Sequence, residues 1–489
     1  MDHEHTLVSA SDLGHSQFAT SWPAQPTGDP APTPERPLLG PEQKLMMQAL
    51  AEYKTNFSLC LSLLDLLGIT KKNAIITMDS TVRSFEQDIT SGSNEYAILL
   101  HTIPAGLHDS LIQGTLAYDY VKGKEVHGKE LEERGRYAGV YAVGIAIEGR
   151  GGAFINIKEC SKVADILQNY SRAYELLATT ENENSPLPAN AQQVIHDARK
   201  LDQACGYPIQ GFMLHYLESF GQVADNAHLK ALADSFRKRG RALDRLGCDE
   251  TTNMHQGPLY VGCTTAPMAE QLAQLHYDSD MATVPSVSKF LSLTLGALRY
   301  IGLKPYTVEV PILPIWVKAH LPLGERLVTV LASSLITQGG FNGVQAGSRA
   351  GTGMDLQLCD EAGSYVAEKT KYFEQNIDQT LLDIDDFDRE TEGVEDLERC
   401  FRLVLGGELD QRIDATMIEL ERLECHANLL QGMQGVIQKK VRMIRARHEA
   451  VATQYAFNTG FAQLLRSITT RLELDDGSTH ARTGDSPPE

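Results

Sequence analysis

The sequence predicts an α+β protein: a small mixed α/β middle flanked by α-helical N- and C-terminal regions. Three observations carry that expectation. Between 137 and 158, two apolar, β-branched runs, Tyr137–Ile147 and Ala153–Lys158, flank the turn-forming Glu148-Gly149-Arg150-Gly151-Gly152; this composition predicts a β-hairpin. Residues 41–67 open on Pro41 and stop before Gly68, the start and stop signals of a helix. Between Leu409 and Ile444 the apolar residues recur by threes and fours, ten intervals covering 35 residues (444 minus 409). A mean spacing of 3.5 is that of a coiled-coil seam or a packed helical hairpin.

A chain of 489 residues exceeds one ordinary core. Its 42% apolar and 22% charged residues are those of a water-soluble globular protein. The net charge of −20 argues against indiscriminate binding to nucleic acid, which requires a basic footprint. Eight cysteines are scattered without any Cys-x-x-Cys pair, which argues against a zinc ribbon and reads as reduced thiols inside a cell. The first residues, Met1-Asp2-His3-Glu4-His5, lack the basic and apolar regions of a secretory signal. Phe57–Leu67, the longest apolar block, is interrupted by Ser58, Ser62 and Asp65 and falls short of the roughly 20 residues a membrane span needs. The expected location is therefore intracellular, nucleus and cytoplasm not being distinguished, with no membrane association.

Residues 1–40 are polar and proline-rich and are expected to form a disordered arm. An α-rich region is predicted over 41–136, closing on the charged run Lys122–Arg136, which has the pattern of an exposed helix. Two α/β units follow, 137–246 and 247–353, related either by internal duplication or as one domain with a long insertion. A helical C-terminal region spans 354–473, with the coiled-coil-like segment 409–444 as a candidate homodimer contact. Within it, Asp383–Glu392 reads as an acidic linker, since an EF-hand loop would need Gly at the place of Asp388 and Glu at that of Val394. A polar tail, 474–489, is expected to be disordered. Arg237-Lys238-Arg239, with Arg241 and Arg245, forms a short basic helix face.

The second α/β unit carries the most specific pattern. It opens with Leu259-Tyr260-Val261-Gly262, passes through a segment with His276, and reaches Ala297-Leu298-Arg299-Tyr300-Ile301-Gly302. A strand-like Tyr306–Val310 follows, then a helix expected from Glu325 to Ile336 and Gly340-Phe341-Asn342. This order resembles the GIY-YIG nuclease superfamily over about a fifth of the chain. Gly139-Val140-Tyr141 is similar to the first half of the family's name motif, and Phe154-Ile155-Asn156 stands where a second half would follow. The resemblance implies weak or lost metal-dependent phosphodiester hydrolysis on DNA. It implies Glu325 as ligand of Mg²⁺ or Mn²⁺, Tyr260, Tyr141 and His276 as catalytic candidates, and Gly262 and Asn342 as substrate-positioning residues. The family's Arg, about ten residues past the motif tyrosine, is replaced here by Glu270 and Gln271. A carboxylate there repels a phosphate instead of stabilising the charge that builds on it. Seven acids against six bases between Gly247 and Gly351 are also a poor balance for a nuclease on duplex DNA. Glu325 reads alternatively as a helix-start charge, and Tyr260 as a core strand residue. The rival function is a non-catalytic interaction protein that keeps the fold as a scaffold and associates through its C-terminal helix.

Overall fold

The computed structural model describes residues 38–53, 56, 58–60, 62–63, 95–123, 128–178, 188–205, 214–215, 223–273, 288–343, 346–347, 353–370, 372–386 and 389. The coiled-coil-like segment 409–444, both terminal tails, His276 and the candidate strand 74–78 lie outside these residues.

Among the described residues, helices α1 (Pro41–Tyr53), α2 (Glu95–His101), α3 (Ala105–Gln113), α4 (Leu116–Val121) and α5 (Gly128–Gly135) precede the first described strand. Strand β1 (Gly139–Ile147) is followed by α6 (Ile157–Ala178), α7 (Ala189–Ala204) and α8 (Val223–Arg245). Strand β2 (Tyr260–Thr264), α9 (Met268–Ala273), α10 (Lys289–Tyr300) and β3 (Pro305–Pro314) complete the sheet. After α11 (His320–Leu331) and a 3-10 turn (Ile336–Gln338), α12 (Leu356–Ser364) runs into a π-turn (Tyr365–Lys369) and a last helix, α13, over 372–386.

The three strands form one antiparallel sheet in the order β2-β1-β3. The middle is thus α+β, and the sequence expectation is corrected in three places. Tyr260–Gly262 and Tyr306–Val310, which the resemblance implies as neighbouring strands, have β1 between them. Of the two relations left open between 137–246 and 247–353, internal duplication is not met: among the described residues the strand of the first is the centre of a sheet whose edges come from the second. The hairpin also fails. After the Gly149–Gly152 turn, Ala153–Asn156 joins no strand of the sheet; Phe154 donates its N–H to the Met254 carbonyl at 2.7 Å, and α6 starts at Ile157.

Asn156 owes its place to that helix start. Its Oδ1 accepts from the Glu159 N–H and the Glu159 carboxylate accepts from the Asn156 N–H, each at 3.0 Å. This reciprocal pair satisfies two N–H groups that the first turn would otherwise leave open. Arg150, from the preceding turn, adds two 2.7 Å bonds to the same carboxylate. Burial pushes the Glu159 carboxyl up, but the Arg150 and Asn156 hydrogen bonds outweigh it and hold it below its ordinary value.

Every residue of β1 is buried, as expected of a central strand covered on both faces. Alternation divides its side chains. Tyr141, Val143, Ile145 and Ile147 meet α6, α7, α8 and α10; Val140, Ala142 and Ala146 meet α2, α3, α11 and the C-terminal helices. The first side will be called the inner-helix face and the second the terminal face. β3 carries Pro305, Pro311 and Pro314. Proline has no N–H for a ladder, and an edge position tolerates that.

Other boundaries follow local chemistry. Pro41 is the first residue of α1, where its missing N–H costs nothing. Ser288 caps α10 by accepting from the Leu291 N–H, and Gly302 at φ 85° turns the chain after it, a conformation that favours glycine. Asp355 caps α12 in the same way through Gln357. The charged run before β1 departs from its pattern: Arg134, in α5, has no exposed surface. It donates to the Pro311 carbonyl (3.2 Å), Glu130 (2.8 Å) and the Tyr372 hydroxyl (3.3 Å), tying α5 to β3 and to α13. The acidic run, expected as a linker, starts inside α13, which extends to 386.

Candidate functional site

The structure brings Tyr141, Tyr260 and Gly262 together. Gly262 is the register partner of Tyr141 across β1 and β2, and Tyr260 lies two residues before it on the same face. The two phenol rings stand 6.5 Å apart between centroids, tilted by 52°. A Cβ on Gly262 would fall 2.6 Å from both Cζ and the hydroxyl of Tyr141. Gly262, expected as a substrate-positioning residue, is the place where the Tyr141 ring approaches the backbone of β2. That ring is buried within the inner-helix core, while Tyr260 is half-buried at its border.

Asn342 joins this group from below the sheet edge. Its Oδ1 accepts from the Val261 N–H at 2.9 Å and its Nδ2 donates to the Val261 carbonyl at 2.7 Å. The neighbouring Phe341 N–H donates to the Leu259 carbonyl at 3.0 Å. Asn342 is buried, and these two bonds occupy one face of its amide.

Glu325 is placed differently. The helix expected to begin at it begins five residues earlier, at His320, with Pro322 in the first turn where proline is tolerated. Glu325 is thus in mid-helix, and the reading of it as a helix-start charge is corrected. Its carboxylate accepts from the Gly347 N–H at 2.7 Å, holding the glycine-rich turn against α11. Helix α11 covers the terminal face through Leu321, Leu327, Val328 and Leu331, opposite the face of Tyr141 and Tyr260. A divalent cation on Glu325 would need the two phenols beside it to activate water, and this placement does not provide them. Among the described residues no three His, Cys, Asp or Glu side chains form a group that could hold a metal. In place of the family's Arg, Glu270 sits exposed on α9, with Gln271 half-buried after it.

The basic face of α8 is engaged at Arg237 and Arg239, while Lys238, Arg241 and Arg245 are exposed. Arg237 pairs with Asp165 (3.1 Å) and Asp234 (3.2 Å), and Arg239 donates to the Gly339 carbonyl (3.2 Å). Several interior polar residues were not singled out by the sequence pattern. On the inner-helix side, Asp202 accepts from the Tyr170 hydroxyl at 2.7 Å and from the His215 N–H at 3.0 Å. Burial pushes its carboxyl above the ordinary value despite those bonds. On the terminal side, His101 and His108 are fully buried. Their only signal is a polar residue closing an apolar run, Leu99-Leu100-His101 and Gly106-Leu107-His108. Arg134 had a fainter one, its i, i+4 spacing from Glu130.

Compared with known proteins, the chain matches no family model, no curated protein and no solved structure.

Proposed function

We propose that this chain is a non-catalytic interaction protein, a scaffold of GIY-YIG-like order in which the motif positions hold the fold together. The observation that carries the reading is the use made of the motif residues. The Tyr141 ring fills the space left by Gly262, Asn342 brackets the Val261 peptide, and Glu325 binds a backbone N–H on the helix of the other face. Association falls to the 3.5-residue seam at 409–444, which fits a homodimer.

One observation favours the second reading, a weak Mg²⁺- or Mn²⁺-dependent nuclease: the phenols of Tyr141 and Tyr260 are neighbours on one face. The two readings separate in one set of measurements on the full chain. Plasmid nicking is followed with Mg²⁺ or Mn²⁺ for the wild type, Glu325→Ala and Gln271→Arg, beside sedimentation of the wild type and a Leu420→Lys/Leu430→Lys variant. The scaffold reading expects equal background nicking in all three proteins and a dimer that the lysines convert to monomer. Metal-dependent nicking that disappears in folded Glu325→Ala overturns it in favour of the nuclease. A wild-type monomer removes the seam as the means of association.

A further inference from the structure

The last described helix is fastened to the terminal face mainly at buried polar points. The Thr380 hydroxyl lies 2.8 Å from Nε2 of His101, and the Asn376 amide donates to the carbonyls of His101 (3.0 Å) and Ile103 (3.4 Å). Phe373, Ile377 and Ile384 supply the apolar side of the contact. Ahead of it, α12 loosens into the π-turn and Thr370 leaves helical geometry at φ −94°, ψ 95°. The segment thus consists of a break followed by a strap.

His101 sits under the strap as a neutral ring. Its Nδ1 faces the Ala97 carbonyl and must donate, so Nε2 accepts from Thr380. His108, one helix further, is also fully buried; the Leu100 carbonyl is close by, yet neither ring nitrogen has a well-aligned partner among the described residues. Among the described residues the site supplies a donor and an acceptor for the neutral His101 ring and no carboxylate bonded to either ring.

We propose that α13 is an acid-released strap, latched on His101 while that ring and the neighbouring His108 are neutral and lifted when they take up protons. Among the described residues no hydrogen bond or ion pair joins a carboxylate to either ring. Glu95 on α2 meets His320 of α11, Asp119 of α4 accepts from Ser110, and Glu325 of α11 holds Gly347. Asp109 of α3 is influenced by Asp119. The Cys60 thiol acts on Tyr96. On the strap itself, Asp383 accepts from the Gln379 amide at 3.0 Å, and its other oxygen is buried without a hydrogen-bond partner among the described residues. Burial holds His101 down to about 4, and burial with His101 beside it holds His108 down to about 3. Such groups favour the latched state fully above the ordinary histidine range. That preference falls as the pH drops toward the folded values, about tenfold per pH unit for each ring exposed on opening. Lifting the strap brings water to His101 without unpairing any strand.

The experiment is hydrogen–deuterium exchange on the full chain from pH 7.5 to pH 5, corrected for the intrinsic rate. Peptides from 372–386 are compared with peptides from β1. The expected result is exchange in the strap that rises at least tenfold relative to β1 over that interval. In His101→Gln/His108→Leu, which keeps hydrogen bonding at the first position and apolar volume at the second, the rise is lost. Thr380→Val, cutting the latch from the strap side, raises strap exchange already at pH 7.5. If the strap and β1 open together in the wild type, or if the folded double variant keeps the same pH response, the proposal is wrong. Should the double variant not fold, a Thr380→Val strap that exchanges no faster than wild type at pH 7.5 overturns it equally.

Discussion

The two faces of the sheet bury polar groups in opposite ways. On the inner-helix face, polar side chains are chained outward. Ser171 donates to Asn226, Asn226 donates to Glu175, and Glu175 pairs with Lys230 at the surface. The buried Asp202 has two donors of its own. On the terminal face, the Arg134 guanidinium and the imidazoles of His101, His108 and His320 are buried, and His108 has no well-aligned partner among the described residues. Apolar cover is equally thorough on both sides, so the lesson lies in the polar groups. A chain that ends in solvent tolerates the loss of a link, whereas a closed pocket turns each change of charge or partner into a change of stability.

The comparison breaks most visibly at Arg134. Replacing it with Ala leaves Glu130, a third exposed, without its partner and the Pro311 carbonyl and Tyr372 hydroxyl without their donor; bonds to a charged group are worth about 1.5–3 kcal/mol each. Equilibrium urea unfolding should show a loss of that size, and a loss below ~1 kcal/mol would mean water replaces the guanidinium easily.

Acid sharpens the contrast next. The folded values of His101 and His108 lie below the ordinary one, so the unfolded chain binds more protons and stability falls as pH drops from about 6.5 toward 4. At pH 5 the loss is roughly 2 kcal/mol for each ring. Asp202 on the other face works with the opposite sign: its raised value means that taking up a proton in the carboxylate range relieves the fold. Urea titrations at pH 7 and pH 5 on wild type and His108→Leu should differ by about that amount, the variant losing less.

A smaller effect is expected at the strand pair. Gly262→Ala puts a methyl into the Tyr141 ring, and overpacking of this kind costs about 1–3 kcal/mol. Combined with Tyr141→Ala the two changes should cost less than their sum, since the clash goes with the ring. Strict additivity in a double-mutant cycle would show that the ring does not occupy that space. The smallest loss belongs to the outward chain. Asn226→Ala should cost only about 1 kcal/mol in the same assay, because Glu175 is about half exposed and keeps Lys230, and only the buried Ser171 hydroxyl loses its partner.

Much of the local structure was legible in the sequence. Pro41 marked a helix start, and Tyr260–Gly262 and Tyr306–Val310 lay within true strands. What stayed hidden depends on contacts distant in sequence. Nothing local says that β1 divides β2 from β3, because strand order is set by which long connections close around which faces. The hairpin expectation failed because Asn156 and Glu159 cap a helix, and that capping signal was available but read as part of a motif. The burial of Arg134 required β3 and Tyr372, both more than a hundred residues away. Gly262 held the clearest unread clue, since a glycine inside a strand marks close approach of something, here Tyr141.

The Asn342 amide has one consequence beyond holding Val261. A peptide group and a carboxamide present the same donor and acceptor, so Asn342 stands where the backbone of a fourth strand would run. An open sheet margin is a template on which a foreign chain can extend the ladder, the first step of many fibrous deposits. Here the β2 margin at 259–261 is occupied by 341–342, and the β3 margin is interrupted by Pro305, Pro311 and Pro314. The sheet is thereby shielded from recruiting strands along these stretches.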